Sequence, residues 1–518
     1  MEETYLFQTF VAFSVLFLIL YFVVKVIQNI WWKPIHLEKL LRQQGIKGTP
    51  YKLLRGDTEE IKRSTTEAWS KPMSLNHDIV PRVLPFFYDM VQKYGKVCLS
   101  WTETRPRLII GDSELIRVIL ADKKGHFVKP PQNPFVDLLQ LGVSTLEGEQ
   151  WVKRRRLLTP AFHLDKLKGM LPAFAISCSA LIDRWKNLTR LQGSTEVNVA
   201  PEFQILTGDV IARTAFGSSY EEGKKIFELQ KEQAVLVLEA YHNIYIPGFR
   251  FVPTRKNMRR YKLDNEIKAV LRDLIRKKQQ AMPNKEVDLL SLLLQKCKLE
   301  DEASDGDDNN CLTIDDVIEE CKLFYIAGQE TTANLLTWTM IVLSMHPNWQ
   351  DKAREEVLQV CGKKTPDFEA ISHLKIVSMI LNEVLRLYPL LTAHLRYTKQ
   401  EANIGGMLIP AGVEILLFTL SLHHDPKHWG HDATEFNPER FSEGVAKSSK
   451  DDQMAFYPFG WGPRICLGQN FAMIEAKLGL AMILQHFSFQ LSISYTHAPC
   501  TGITLQPQHG APIVLHCL

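Results

Sequence analysis

No two cysteines in this 518-residue chain stand at the spacing of a zinc-ligand pair. The nine are scattered, at 98, 178, 297, 311, 321, 361, 466, 500 and 517. An odd number without a framework excludes a disulfide-stapled secreted fold and suggests reduced thiols in a cytosol-facing domain. Excess charge of one sign is missing too. Lys and Arg number 61 against 58 Asp and Glu, a net +3, which gives no support for a nucleic-acid partner. There is no internal repeat, and low complexity is confined to the acidic run 300–310, read as a solvated surface loop. Length and an ordinary hydrophobic content of 45% suit one large enzyme domain with a sizeable core.

What the chain does have is a long hydrophobic run. Residues 6–24 carry no charge, and at about 1.5 Å per residue they are roughly as long as a bilayer core is thick. A cleaved leader begins with positive charge, whereas here Glu2 and Glu3 lead and Lys25, Lys33 and Lys39 follow. The positive-inside rule then places residues 1–5 in the lumen and everything after Lys25 in the cytosol, with Trp31 and Trp32 at the interface. The expected organisation is a transmembrane helix over 6–24, a link over 25–50 and a catalytic domain over 51–518.

The most informative segment is Phe459-Gly-Trp-Gly-Pro-Arg-Ile-Cys-Leu-Gly468. Gly460, Gly462, Pro463 and Gly468 let the backbone turn tightly and approach a flat ligand. Beyond it Phe471, Ile474, Leu478 and Met482 form a helical stripe over 469–484, which puts Cys466 at a helix N-terminus. Unpaired N–H groups, the helix dipole and Arg464 all favour a negative sulfur there. Phe459, Gly462, Arg464, Cys466 and Gly468 match the haem-binding loop of the cytochrome P450 monooxygenases, and the chain resembles that family. The resemblance implies haem b (iron protoporphyrin IX) with Cys466 as the axial iron ligand. No Cys-x-x-Cys-His occurs, so the haem would be held non-covalently.

Other motifs agree with the resemblance. Thr313-Ile-Asp-Asp316 reads as a capping box opening a helix of thirty-odd residues to about Met345, before Pro347. At its middle lies Ala327-Gly-Gln-Glu-Thr-Thr332, where Gly328 and two hydroxyls suggest local distortion. It resembles the family's oxygen-binding groove, in which Thr331 and Glu330 would manage the protons that dioxygen receives. Glu383 and Arg386 share one face of a helix expected over 372–387. Alone they would be an ordinary surface ion pair, but the resemblance joins them to Arg440 of Pro438-Glu-Arg-Phe441 as a structural triad bracing the thiolate loop. Trp151 and Arg155 match the family's Trp-x-x-x-Arg helix and, with Arg396 and Arg464, would hold the haem propionates. The run Lys153-Arg-Arg-Arg156 also reads as a solvated cationic face, suited to an acidic flavoprotein.

Strand patterns are few. One hairpin is expected over 97–110 with its turn at Arg105-Pro106, and a second over 406–417 turning at 410–412. The fold class is therefore mainly α with small β-sheets, a cytochrome P450 fold with one N-terminal transmembrane helix.

The resemblance covers residues 35–518 and points in particular to the plant family-72 enzymes, subfamily A, on segments such as 44–51, 214–220, 246–253, 322–332 and 505–512. One departure is Leu390, where many relatives have a second proline after Tyr388-Pro389. The implied enzyme is a single-pass protein of the endoplasmic reticulum membrane with a cytosolic catalytic domain. It would use O2 and electrons from NADPH through NADPH-cytochrome P450 reductase to oxidise an apolar small molecule. The substrate class implied is terpenoid: a triterpene or steroid, an iridoid, or a gibberellin-like diterpene. The segments 130–143, 324–331, 390–395 and 500–503 are the expected pocket lining. Two alternatives stay open, a haem-thiolate isomerase or dehydratase that does not use O2, and a membrane haem protein that senses or carries electrons.

Overall fold

The computed structural model describes residues 2–139, 141–190, 193–241, 248–281, 288–301, 312–450 and 454–518; residues 302–310 of the acidic run lie outside them. The chain forms two compact units. The first comprises residues up to Glu67 together with Leu84–Pro130 and Leu395–Phe418. Its N-terminal helix α1 (Glu2–Ile27) is exposed along its apolar length. A π-helical turn, Gln28–Trp32, carries it into helix Lys33–Gln43, so most of the expected link is helical. On that last stretch Pro34, Leu37 and Leu41 are buried.

A five-stranded sheet follows. Strands Val97–Thr102 and Arg105–Ile110 form the expected hairpin, with Thr102 opposite Arg105. The turn is Glu103-Thr104 rather than Arg105-Pro106, because Glu103 takes a left-handed φ of 53° that closes a two-residue connection. Strand Glu414–Leu417 pairs parallel to Arg105–Ile110, and the Arg107 guanidinium meets the Glu414 carboxylate at 2.6 Å across that pairing. The second expected hairpin is not formed. Met407–Ile409 instead pairs back onto Ala402–Ile404 through Gly405 and Gly406, whose φ values of 57° and 83° suit the tight turn.

The second unit comprises Ala68–Val83, Pro131–His394 and Thr419–Leu518, and is mainly helical. The helices that position the site are α2 (Gly148–Leu158), α3 (Leu164–Thr189), α4 (Val199–Phe216), α5 (Tyr220–Tyr241), α6 (Ile314–Met345), α7 (Lys375–Leu387) and α8 (Gln469–His486). Helix α6 is opened by the expected capping box. The Thr313 hydroxyl accepts from the Asp316 N–H at 3.1 Å, and the Asp316 carboxylate accepts from the Thr313 N–H at 3.0 Å. Its 32 residues stay α-helical through 327–332, so the expected distortion is absent. Helix α7 begins at Lys375, not at Ser372, because the Glu356 carboxylate accepts the N–H groups of Ile376 and Val377 at 2.8 and 3.0 Å and fixes a new helix start. Helix α8 buries Phe471, Ile474, Leu478 and Met482, the stripe read from sequence. Small sheets complete the unit: Ser194–Asn198 and Phe487–Leu491 flank Pro512–Cys517, and Pro499–Thr501 pairs with Leu505–Pro507.

Candidate functional site

Cys466 stands at the end of a short glycine-rich loop. Gly460 and Gly462 have φ of 72° and 70°, which side-chain-bearing residues rarely adopt, and the Cys466 N–H donates to the Phe459 carbonyl at 2.9 Å. Gly468 caps α8, so the thiol sits three residues before Gln469, where the helix begins. Burial pushes the Cys466 thiol pKa up, opposed by the Gly468 N–H and by the nearby Arg155. Yet the residue is exposed by surface area. Both describe one geometry, a thiol among many protein atoms that keeps an accessible face.

The loop reaches α6 through an aromatic contact. A Cβ on Gly468 would lie 4.0 Å from both Cys466 Sγ and Phe162, and the Phe162 ring centre lies 5.8 Å from that of Phe324 on α6. One turn further on, Ala327 is exposed, while the helix is buried over 321–325 before it and again from Thr332 after it. The Thr331 hydroxyl donates to the Ala327 carbonyl at 2.7 Å. Glu330 turns elsewhere. Its Oε1 accepts from Thr504 Oγ1 at 3.0 Å and Asn334 Nδ2 at 3.3 Å, and its Oε2 accepts from Gln204 Nε2 on α4 at 3.5 Å. Thr504, Asn334 and Gln204 were not identified from sequence; the i, i+4 spacing of Glu330 and Asn334 is the one local signal.

Helix α2 brings cations to the loop. The Arg464 guanidinium lies 4.1 Å over the Trp151 ring, donates to the Leu146 carbonyl at 2.8 Å and pairs with Glu147. Arg155 is half-buried near Cys466 and, among the described residues, has no carboxylate partner. Its neighbour Arg154, read as part of a solvated face, is instead buried, with Asp316 at 2.7 Å and Glu320 at 2.9 Å. The physical reason is helical phase: Arg154 faces α6, whereas Arg156 is exposed. Arg396 belongs to the first unit, where it is buried and donates to the Leu395 carbonyl at 2.9 Å.

The ion pair read as either surface or structural is fully buried. Arg386 grips Glu383 with two hydrogen bonds of 2.7 Å and donates to the carbonyls of His423 at 2.7 Å, Ala433 at 2.6 Å and Glu435 at 3.1 Å. Arg440 approaches Glu383 at 3.5 Å and holds Asp432 at 2.6 Å. His423 in turn accepts the Tyr457 N–H at 2.9 Å, two residues before Phe459. The triad thus fixes the segment leading into the Cys466 loop.

These residues fit a flat iron cofactor. One thiol keeps an accessible face, glycines leave room beside it, and a cation suited to a carboxylate, without a carboxylate partner among the described residues, stands near. Among the described residues no group of three or more His, Cys, Asp or Glu could hold a bare ion, so a single thiol donor calls for a metal that brings most of its own ligands. Two other concavities lie elsewhere, an open groove along 258–269 and a hollow of about 380 Å³ beside His77 and His346.

The cytochrome P450 family model matches residues 81–509. Cytochrome P450 CYP72A616 of Paris polyphylla is 55% identical over 492 residues, 94% of this chain and 95% of the relative. The 11-oxo-beta-amyrin 30-oxidase of Glycyrrhiza uralensis is 47% identical over 498 residues, 95% of each chain. The 7-deoxyloganic acid hydroxylase of Catharanthus roseus is 45% identical over 520 residues, 98% of this chain and 99% of the relative. A match that spans both the Cys466 loop and α6, with whole-length relatives named as oxidases and hydroxylases, leaves one conclusion: the chain belongs to the cytochrome P450 family, haem-dependent monooxygenases supplied with electrons by a reductase.

Proposed function

We propose that this monooxygenase hydroxylates a terpenoid-derived substrate, or oxidises it repeatedly at one carbon, from a catalytic domain (51–518) held on the cytosolic face of the endoplasmic reticulum by α1. The observation that carries the reading is the accessible thiol of Cys466 beside Arg155, which has no carboxylate partner among the described residues. In this reading Cys466 is the iron ligand, Trp151, Arg155 and Arg464 hold the haem carboxylates, and Glu383, Arg386 and Arg440 keep the loop in place. Bound haem supplies the activation of dioxygen, with the overall balance RH + O2 + NADPH + H⁺ → ROH + H2O + NADP⁺. Glu330 and Thr331 hold and pass protons on the α6 side.

An apolar substrate is supported by the packing. Val136 and Leu139 from the expected lining meet Ala234 and Val237 of α5, Ile326 of α6 and Ile503. Burying a rigid hydrocarbon against such a wall drives binding, while a few polar groups set orientation. The names of the relatives, an 11-oxo-beta-amyrin oxidase and a 7-deoxyloganic acid hydroxylase, support terpenoids as the class.

The test is reconstitution with reductase and a panel of triterpenes, iridoids and gibberellin-like acids. A member of the panel should shift the ferric spectrum towards high spin and be turned over with NADPH. Cys466→Ala should lose both, along with the thiolate-type spectrum of the reduced carbon monoxide complex. An unchanged spectrum in the variant refutes the ligand; turnover of a small charged metabolite in place of the panel refutes the substrate class.

A further inference from the structure

Residues Ile326, Glu330, Asn334 and Trp338 recur every fourth position along α6 and so share one stripe of the helix. Three of them bond one short segment, and the fourth shares an apolar cluster with it. Ile326 packs in the cluster that contains Ile503, Glu330 and Asn334 bond Thr504, and Trp338 Nε1 donates to the Leu505 carbonyl at 3.0 Å. The segment is the turn of the hairpin whose strands are Pro499–Thr501 and Leu505–Pro507.

The polar groups in it close a ring. A carboxylate only accepts, so the Asn334 amide nitrogen must face Glu330. One Asn334 N–H goes to Glu330 Oε1 at 3.3 Å and the other to Thr504 Oγ1 at 2.7 Å, while the Thr504 hydroxyl gives its single proton to Glu330 Oε1 at 3.0 Å. Thr504 and Asn334 are both buried, 2% and 3% exposed, so water does not replace a lost member easily. Among the described residues Thr504 is thereby the one side chain that both donates to the acid and adjoins Ile503 on the apolar wall.

We propose that Thr504, supported by Asn334, is a positioning residue that fixes where the Glu330 carboxylate stands and ties that position to the turn carrying Ile503. The inference rests on the reading of Glu330 as a proton-handling group and goes beyond it. A substrate that displaces Ile503 moves the acid with it, so how well a substrate fits the wall sets how well reducing power is spent on product rather than on peroxide.

The experiment compares Thr504→Val, which keeps the shape and removes the hydroxyl, with Thr504→Ser, which keeps the hydroxyl, in the reductase-reconstituted haem enzyme. Product and peroxide per NADPH and the KM for substrate are measured. Thr504→Val should lower product per NADPH about tenfold with KM little changed, since a misplaced general acid loses rate rather than binding. Thr504→Ser should restore it. In a Glu330→Gln background Thr504→Val should add little, because both changes disable the same group. Tight coupling in Thr504→Val, a defect confined to KM, failure of Ser to restore, or additive losses in the double variant each overturn the proposal. Should Thr504→Val not incorporate haem, Thr504→Ala, which also removes the hydroxyl, carries the same measurement with the same readings. If Glu330→Gln and Thr331→Ala uncouple while Thr504→Val does not, the positioning fails and the function proposed above stands. If Glu330→Gln itself stays coupled, the proton-handling reading fails first.

Discussion

At Gly328 a residue that ordinarily weakens a helix is the one that lets two helices meet. Glycine in a helix interior costs about 1 kcal/mol relative to alanine. A Cβ here would lie 2.7 Å from Ile211 Cγ1, 2.8 Å from its Cδ1 and 3.1 Å from its Cβ. Ile211 is buried on α4 and β-branched, so it has few rotamers into which to retreat. Nearby on α4, Gly208 repeats the arrangement, its Cβ position 3.0 Å from Gln329 Nε2 and the Tyr220 ring. Overpacking of this kind costs about 1–3 kcal/mol, more than the propensity gain. Gly328→Ala should therefore lower the thermal midpoint of the haem protein, and adding Ile211→Ala should recover part of the loss. A stabilised single variant would show that propensity decides this position and packing does not. The sequence marks Gly328 as unusual for a helix but not its cause, because Ile211 is more than a hundred positions away.

Elements whose signals are local were readable: the capping box of α6, the apolar stripe of α8, the hairpin over 97–110. Those decided by a distant partner were not. The start of α7 depends on Glu356, the second hairpin was misread because Gly405-Gly406 offers a tighter turn than 410–412, and Arg154 was taken as solvated although it joins α2 to α6. At the candidate site the motifs could be read from their spacing, but the partners of Glu330 came from α4 and from a hairpin 174 positions on. The Arg154 junction has a measurable consequence. Glu320 accepts from Arg154 and from the Val143 N–H at 2.9 Å each, while its Oε2 has no partner among the described residues. Burial pushes its carboxyl pKa up to about 7, against Arg154, which pulls it down. A raised pKa means the folded protein holds the proton more tightly than the unfolded chain. That contribution is complete below the ordinary value of 4.5 and is lost as pH rises through about 7. The stability of the wild type relative to Glu320→Gln should thus fall across that window and be flat outside it. Buried histidines such as His77, held down to about 3 by burial, titrate in both proteins and cancel in the difference. Thermal midpoints of the two proteins at intervals of pH give the curve; a difference that rises with pH would mean Glu320 is ionised in the fold by its pairing with Arg154.

For the whole molecule, the proposed orientation in the membrane rests on one helix and the charges at its ends. α1 is about 39 Å long by its 26 residues, enough to cross a hydrocarbon core of about 30 Å. Its apolar side chains are exposed along the length, so lipid rather than protein is what can cover them. Glu2 and Glu3 open it, Lys25 lies in its last turn, and Lys33 and Lys39 follow, a bias that by the positive-inside rule would keep the C-terminal side in the cytosol. The chain carries its own reporter on that side, the sequon Asn187-Leu-Thr189 near the end of α3. Asn187 is exposed, but Thr189 is 1% exposed and bonded to the Trp185 carbonyl at 3.0 Å, so folding alone could hide the site. A second reporter removes that ambiguity. A polar tail carrying an Asn-Gly-Thr sequon, fused before Met1, has no fold to hide in and should gain a glycan in intact cells, because glycosylation occurs on the lumenal side. Asn187 should stay bare in the same protein. A glycan on Asn187 with none on the tail would reverse the orientation and put Cys466, α2 and the cationic residues Lys153 and Arg156 on the side where no cytosolic reductase could reach them.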